Sequence, residues 1–320
     1  QVKRIIKEQR AKFLLQKFNI SIFRDAEYFQ LVSELPALNE LLIKVNAKLR
    51  LRIQKELFAE LSESAFHIVR KIISSNVSGM EPAKSAVALQ LFSNEDIHIL
   101  LFGENQSKKE LINNSAYISP ISVVSKASSA VGDNVLYNAN GGICAIHELL
   151  VMHRLDKSDF YSAMSQGYLI KDKMRYETKT NILATSTPSG GLERTFEGIR
   201  RQLPASKILN EFNLIFLAKQ AGSSSRISIK NEDRDFIKDY INFAKTIEVK
   251  IPKEFEEHLN KFVTALKTKQ HYFFMDVTDK LYPSLIILAK ASARSRLKST
   301  VEVLDIERAK EIVLEGLKGN

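Results

Sequence analysis

The apolar positions of this chain change their period near Ser78. Before it they fall at helical spacing. Ile5, Phe13, Leu14 and Phe18 make a loose stripe, and Leu41, Leu42, Val45, Leu49 and Leu51 make a stronger one within residues 38–61. Asn19-Ile20-Ser21 and Ser33-Glu34-Leu35-Pro36 read as breaks, because the residue before proline avoids the helical region. After Ser78 short apolar runs alternate with helical patterns. Residues 80–92 read as a helix with Ala83, Ala86, Leu89 and Leu91 on its apolar face, 96–102 as a strand running into Gly103, and 108–113 as the start of a helix. Residues 118–124 and 142–146 read as buried strands, 160–164 as helix, and 180–186 and 213–218 as strands. Beyond the Gly222-Ser223-Ser224-Ser225 linker the helical period returns in 233–245, 253–267, 282–297 and 305–317, with 271–275 as a core edge. Strands alternating with helices predict a parallel sheet covered on both faces. The expected fold is therefore α/β, with a helical segment at 1–78, the sheet-bearing core at 79–225 and a helical lid at 226–320.

Composition narrows this picture. The 320 residues, 44% apolar and 26% charged, suffice for a substantial core, and the absence of tryptophan with scarce glycine and proline suits a helix-rich protein. No apolar run is long enough to span a bilayer and no secretory signal is expected, so no membrane partner is implied. The single cysteine, Cys144, excludes an internal disulfide framework and fits a reducing, intracellular setting, cytoplasmic or nuclear. A net charge of +10 favours polyanionic partners, DNA first. Lys44, Lys48, Arg50, Arg52 and Lys55 crowd one stretch, which reads as a solvated helix face rather than a nucleic-acid stripe.

One stretch carries the most chemistry: Gly141-Gly142-Ile143-Cys144-Ala145-Ile146-His147-Glu148-Leu149-Leu150-Val151-Met152. A buried strand ends in two polar residues at its carboxyl end, where open α/β sheets place ligands. An ATPase needs an acid pair there, one carboxylate to orient Mg²⁺ and the next to activate water. Glu148 supplies only the second. Imidazole is a poor Mg²⁺ ligand. A zinc reading fails as well, because the next histidine, His153, lies six residues on, roughly 240° around a helix. His147 therefore reads as a hydrogen-bonded strand end, and no metal site is expected.

Several blocks, in order, resemble the ATPase module of the minichromosome maintenance (MCM) family. They are Gly79 through Phe92, Asp96-Ile97-His98-Ile99-Leu100-Leu101-Phe102-Gly103, Lys126-Ala127-Ser128-Ser129-Ala130-Val131-Gly132, the Gly141 stretch, Ile182-Leu183-Ala184-Thr185-Ser186-Thr187-Pro188 and Phe212-Asn213-Leu214-Ile215-Phe216. Ordered blocks are more specific than any one motif. The resemblance covers about 62–317; the family's amino-terminal DNA-binding domain is not visible in the first sixty or so residues. It implies an AAA+ P-loop-type fold, a ring-forming habit and a setting in DNA replication, with DNA and MCM-type or other replication proteins as possible partners.

The same resemblance implies a damaged site. Along Gly103-Glu104-Asn105-Gln106-Ser107-Lys108-Lys109-Glu110, Gly103 and Lys109 match the family's first glycine and phosphate lysine. Lys108 fills a small-residue position, Gln106 replaces a glycine, and Glu110 replaces the Mg²⁺-binding hydroxyl; repulsion of phosphate or a collapsed loop is expected. His147 stands at the family's Mg²⁺-orienting aspartate, Glu148 at its water-activating acid, Thr187 at its sensor asparagine and Lys280 at its lid sensor arginine. Glu211 stands at the arginine finger, a reversal of charge at a position worth about 10³ to 10⁵ in rate in GTPases.

The mechanical parts are reduced too. Residues 133–140 replace a long helical insert, and the hairpin at 168–176 is short, although it keeps Lys171, Lys173 and Arg175 as candidate phosphate contacts. Leu192 through Gln202 carries Arg200 and Arg201, offset by Glu193 and Glu197, and Arg294, Arg296 and Lys298 read as a basic lid surface. The leading expectation is a degenerate, non-hydrolysing binding or assembly subunit with no cofactor. The alternatives are a helicase subunit using ATP and Mg²⁺ within a mixed ring, or a salt-sensitive DNA-binding module.

Overall fold

The computed structural model describes residues 36–127, 135–152, 154–171, 173–188, 208–219, 230–273 and 275–319. The first helical stripe, both expected breaks up to Leu35, the 222–225 linker, His153 and the 192–202 segment lie outside them, as do the side chains of Lys44, Lys48, Arg50 and Arg52. The chain forms two compact units, 1–61 and 62–320. Helix α1, Pro36–Ile73, opens on the proline, whose fixed φ suits a first helical position.

Within the second unit α2 (Glu81–Gln90) precedes β1 (Ile99–Phe102), α3 (Ser107–Ile118), β2 (Ser122–Lys126) and the short α4 (Val135–Asn138). There follow β3 (Ile143–His147), α5 (Arg154–Gln166), a hairpin of β4 (Tyr168–Lys171) and β5 (Met174–Glu177), then β6 (Asn181–Ser186) and β7 (Leu214–Leu217). The main sheet has the order β2-β3-β6-β1-β7 and every pairing in it is parallel. Its inner strands are continuous apolar runs because helices cover both faces. Leu100, Phe102, Cys144, Ile146, Ile182, Ala184, Ile215 and Leu217 join one apolar cluster with Leu136, Met152 and Phe160. Burial pushes the Cys144 thiol up to about 12, so it packs as a small apolar group.

One expected strand needs correction. Residues 118–124 do not form a buried strand: Ile118 closes α3, and β2 begins at Ser122 as a sheet edge with Val124 exposed. The apolar residues of 118–124 serve two elements in turn, which an apolar run alone does not reveal.

Neutral polar groups close the sheet's amino end. Gln90 Nε2 donates to the carbonyls of Ile97 and Ile182 at 2.8 and 3.0 Å, and Asn181 Oδ1 accepts from the Ile97 N–H at 2.8 Å. His98 Nδ1 accepts from the Ile182 N–H at 3.2 Å, while Asn213 Oδ1 accepts from the His98 N–H at 2.7 Å. Gly142 is obligatory beside this network, since a Cβ there would sit 2.2 Å from the Ile121 carbonyl oxygen.

The carboxyl-terminal region comprises α6 (Asn231–Lys245), α7 (Lys253–Thr268), α8 (Leu281–Ser295) and α9 (Val303–Lys318). Helix α9 approaches β7 so closely that a Cβ at Gly316 would press within 2.9 Å of the Phe216 ring. A second correction falls here. Arg294 and Arg296 are buried, not surface groups: Arg294 donates to the Ile247 carbonyl at 3.1 Å, and Arg296 meets Glu302 and the fully buried Asp305 at 2.7 Å each. The guanidinium fork joins α8 to the start of α9, where Asp305 also accepts from the Glu302 N–H. Lys298 alone of the three is half-exposed, 3.9 Å from Glu63.

Candidate functional site

The carboxyl ends of β1, β3 and β6 converge, as ligand sites in such sheets require. Beyond β1, Gly103 takes φ +142, and a Cβ would meet the Ala218 carbonyl oxygen at 2.4 Å, so only glycine fits. Its N–H donates to the Ser186 carbonyl at 3.0 Å. The Asn105 N–H donates to Ala218 O, the Ser107 N–H to Asn105 Oδ1, the Lys108 N–H to Asn105 O and the Lys109 N–H to Gln106 O. Asn105 Nδ2 further donates to the carbonyls of Ser78 and Lys219. A phosphate cradle works by presenting such N–H groups to its ligand. Here they are spent on the protein's own oxygens.

Lys108 and Lys109 part ways. Lys108 is fully buried, and its Nζ donates to the Gly103 carbonyl at 2.6 Å and to Thr187 Oγ1 at 2.8 Å. Burial lowers its pKa, with the nearby carboxylate of Glu148 opposing the shift. Lys109 is half-exposed, 3.8 Å from Glu148 Oε1. Glu148 is itself committed: Thr187 donates to it through both its N–H, at 3.0 Å, and its hydroxyl, at 3.1 Å. Its backbone holds the left-handed conformation, φ 57, with its N–H donating to Thr185 Oγ1. A non-glycine residue in that region costs about 1 kcal/mol or more, and these three bonds offset the cost.

His147 ends β3 as a hydrogen-bonded residue, its Nε2 3.2 Å from Asn113 Oδ1. Burial, then the cation of Lys109, lower its pKa, so the ring is neutral. Its Nδ1 is buried without a hydrogen-bond partner among the described residues. Glu110 is exposed on the first turn of α3 and makes none of the bonds of this network. Among the described residues no group of three or more His, Cys, Asp or Glu is placed to hold a metal.

Glu211 and Lys280 bind each other in an ion pair between the 3₁₀ turn Leu209–Glu211 and the start of α8. Beside them Asn213 Nδ2 donates to Ser284 Oγ at 3.0 Å. On the hairpin, Arg175 lies over the Tyr168 ring at 4.0 Å and pairs with Glu177 at 3.1 Å, and Lys173 is exposed at the turn with φ 64. The side chain of Lys171 lies outside the described residues. Asn105 and Asn113 are participants that the sequence pattern did not single out. Asn105, two residues ahead of α3, carries the usual signature of a side chain that caps a helix start.

Residues 235–317 match the MCM AAA-lid domain family. The chain is 25% identical over 331 aligned residues to "DNA replication licensing factor mcm4-A" of Xenopus laevis, covering 84% of this chain and 38% of that protein. It is 26% identical over 297 residues to "DNA replication licensing factor MCM4" of Drosophila melanogaster, covering 78% and 34%. Its fold superposes on the full-length MCM homolog from Methanopyrus kandleri with a TM-score of 0.68 at 21% identity, covering 83% and 61% of the two chains. Each of these likenesses is to an MCM protein or domain. The chain spans well under half the length of those two MCM4 relatives, 38% and 34%. The five-stranded parallel sheet and the carboxyl-terminal lid are an MCM-type AAA+ arrangement. In the loop described above, the N–H groups of Gly103, Asn105, Ser107, Lys108 and Lys109 bond to the protein's own oxygens, and the buried Lys108 ammonium bonds to Gly103 and Thr187, an arrangement that opposes the fit of a nucleotide.

Proposed function

We propose that this chain is a degenerate MCM-family protein, retained as a binding or assembly subunit linked to DNA replication, with little or no ATP hydrolysis of its own. The observation that carries the reading is the inward bonding of the Gly103, Asn105, Ser107, Lys108 and Lys109 N–H groups, which takes up donors that would wrap a triphosphate. The Glu211–Lys280 pair adds to it, because an acid and its counter-cation neutralise each other where the resemblance calls for a cation directed at phosphate. Its partners under this reading are DNA and MCM-type subunits, and its place is with the DNA. The names of the relatives, replication licensing factors, support that setting. No helix among the described residues is long and apolar enough to cross a membrane.

The test is an ATPase assay on the purified chain with and without single-stranded DNA. We expect no turnover above background. Robust Mg²⁺-dependent turnover that disappears in Lys109→Ala would sink the proposal. One observation favours a second reading, a helicase subunit completed by a neighbour in a mixed ring: Lys109 and Glu148 still stand 3.8 Å apart. That reading requires stimulation of an active partner, lost in Glu148→Gln.

A further inference from the structure

Lys108 makes a contact that a merely silent ATPase site would not need. Its whole side chain is buried, and its ammonium spans from the carbonyl of Gly103, at the end of β1, to Thr187 Oγ1, just past β6. Those strands are adjacent in the sheet, paired from Ile99↔Leu183 to Phe102↔Ser186. The gap beyond their carboxyl ends is where an open α/β sheet receives its ligand. Here four methylenes and an ammonium fill it. Thr187 passes the connection on by donating its hydroxyl to Glu148, which Lys109 faces at 3.8 Å.

We infer that Lys108 straps the Gly103–Lys109 loop to the β6 end and so shuts the site against nucleotide from within. This rests on the reading of the chain as a degenerate MCM module and deepens it, since a site can fail to hydrolyse and still bind. Three features support a strap rather than a passing contact. The ammonium is wholly withdrawn from water, which is tolerable only when its bonds are good. Both acceptors lie at short, charge-assisted distances. Its carboxylate neighbour Glu148 is fixed by two bonds from Thr187, so the negative charge that steadies the lysine cannot drift away. A small residue at position 108 would vacate the gap and free the Gly103 carbonyl to move. Lys109 would then be the cation left at the loop to meet phosphate.

The experiment is equilibrium binding of a fluorescent ATP analogue to the full chain, with and without Mg²⁺, alongside thermal melting with ATP. We expect no saturable binding to the wild-type protein below about 1 mM, an affinity of no more than about 4 kcal/mol. We expect Lys108→Ala to bind at least tenfold more tightly and to melt higher with ATP than without it. The double variant Lys108→Ala/Lys109→Ala should lose that gain, which places the binding at this loop. Lys108→Ser provides the same test if the alanine variant does not fold. Micromolar binding by the wild-type chain without turnover would overturn the strap and leave the non-hydrolysing reading standing; turnover would overturn both. A folded Lys108 variant with no gain in affinity, or a gain that survives Lys109→Ala, would also overturn it.

Discussion

At the amino end of the sheet, Gln90, His98, Asn181 and Asn213 close the strands with neutral amides and an imidazole; at the carboxyl end, Lys108, Lys109, Thr187 and Glu148 close them largely with charge. Both ends pair polar groups that would otherwise be costly to bury. The amino end does so with backbone partners whose positions the strands themselves fix, so each bond reinforces strand register. The carboxyl end uses long side chains, whose ammonium groups can exchange an internal acceptor for a ligand. The difference separates what a fold keeps from what a site can lose. The bonds of Gln90, His98, Asn181 and Asn213 hold strand register without any residue past Gly103 or His147.

The sharpest way to break this comparison is to remove a staple. In Asn181→Ala the Ile97 N–H loses its acceptor at a buried position and Gln90 loses a neighbour. An unsatisfied buried donor costs about 1 to 3 kcal/mol, and the shared network raises the total to about 3 kcal/mol. Urea unfolding should show a lower midpoint with an unchanged slope. A loss under about 1 kcal/mol would show that the amino end is no staple.

Acid should strike the same end. Burial holds His98 down at about 4 against an ordinary 6.5, with the Met164 carbonyl, 3.4 Å from Nε2, opposing the shift and the Lys280 cation adding to it. The unfolded chain therefore binds a proton between pH 6.5 and about 4 that the folded chain refuses. The His98 contribution is fully present above pH 6.5 and is lost as pH falls through that window, with a ceiling of about 3 kcal/mol and an expected loss of about 2. Asp96 works in the opposite direction, because burial raises its carboxyl to about 6 against the pull of Lys179. The measurement is accordingly stability from pH 7 to pH 4 in an Asp96→Asn background, where the fall should be steeper than in wild type. A flat profile in that background would refute the role given to His98.

Much of this fold was legible in the chain's own pattern. The apolar runs 99–102, 143–146, 182–184 and 214–217 announce parallel strands, because burial on both faces favours unbroken apolar residues. The edge strand was misplaced because Ile118 and Ile121 look alike in sequence although one closes a helix and the other precedes an edge. Arg294 and Arg296 look like surface cations for a similar reason: their partners, the Ile247 carbonyl and Asp305, lie 47 and 9 residues away. At the site, the identities of Gly103, Lys109 and Glu148 could be read through the MCM resemblance, whereas the different destinations of adjacent Lys108 and Lys109 could not. Which of two neighbouring lysines turns inward depends on a partner distant in sequence; here it is Thr187, 79 residues on, that receives the buried one.

The smallest expected effect concerns the Glu211–Lys280 pair, which belongs to neither end of the strap. Glu211 is mostly buried, with 14% of its side chain exposed, whereas Lys280 is 37% exposed, so solvent screens the pair from one side. Partial screening places its coupling near the upper end of surface ion pairs, about 1 kcal/mol rather than the 3 to 5 expected when a fully buried pair is broken. A double-mutant cycle of Glu211→Gln and Lys280→Met should return that coupling, shrinking in high salt. If the pair is a local tie between the Leu209–Glu211 turn and α8, neither single change will alter nucleotide binding by a Lys108→Ala protein. A coupling near zero would mean that the two charges meet without holding anything. In that case the contacts between lid and sheet here are the bond of Asn213 to Ser284 and the packing of Gly316 on Phe216.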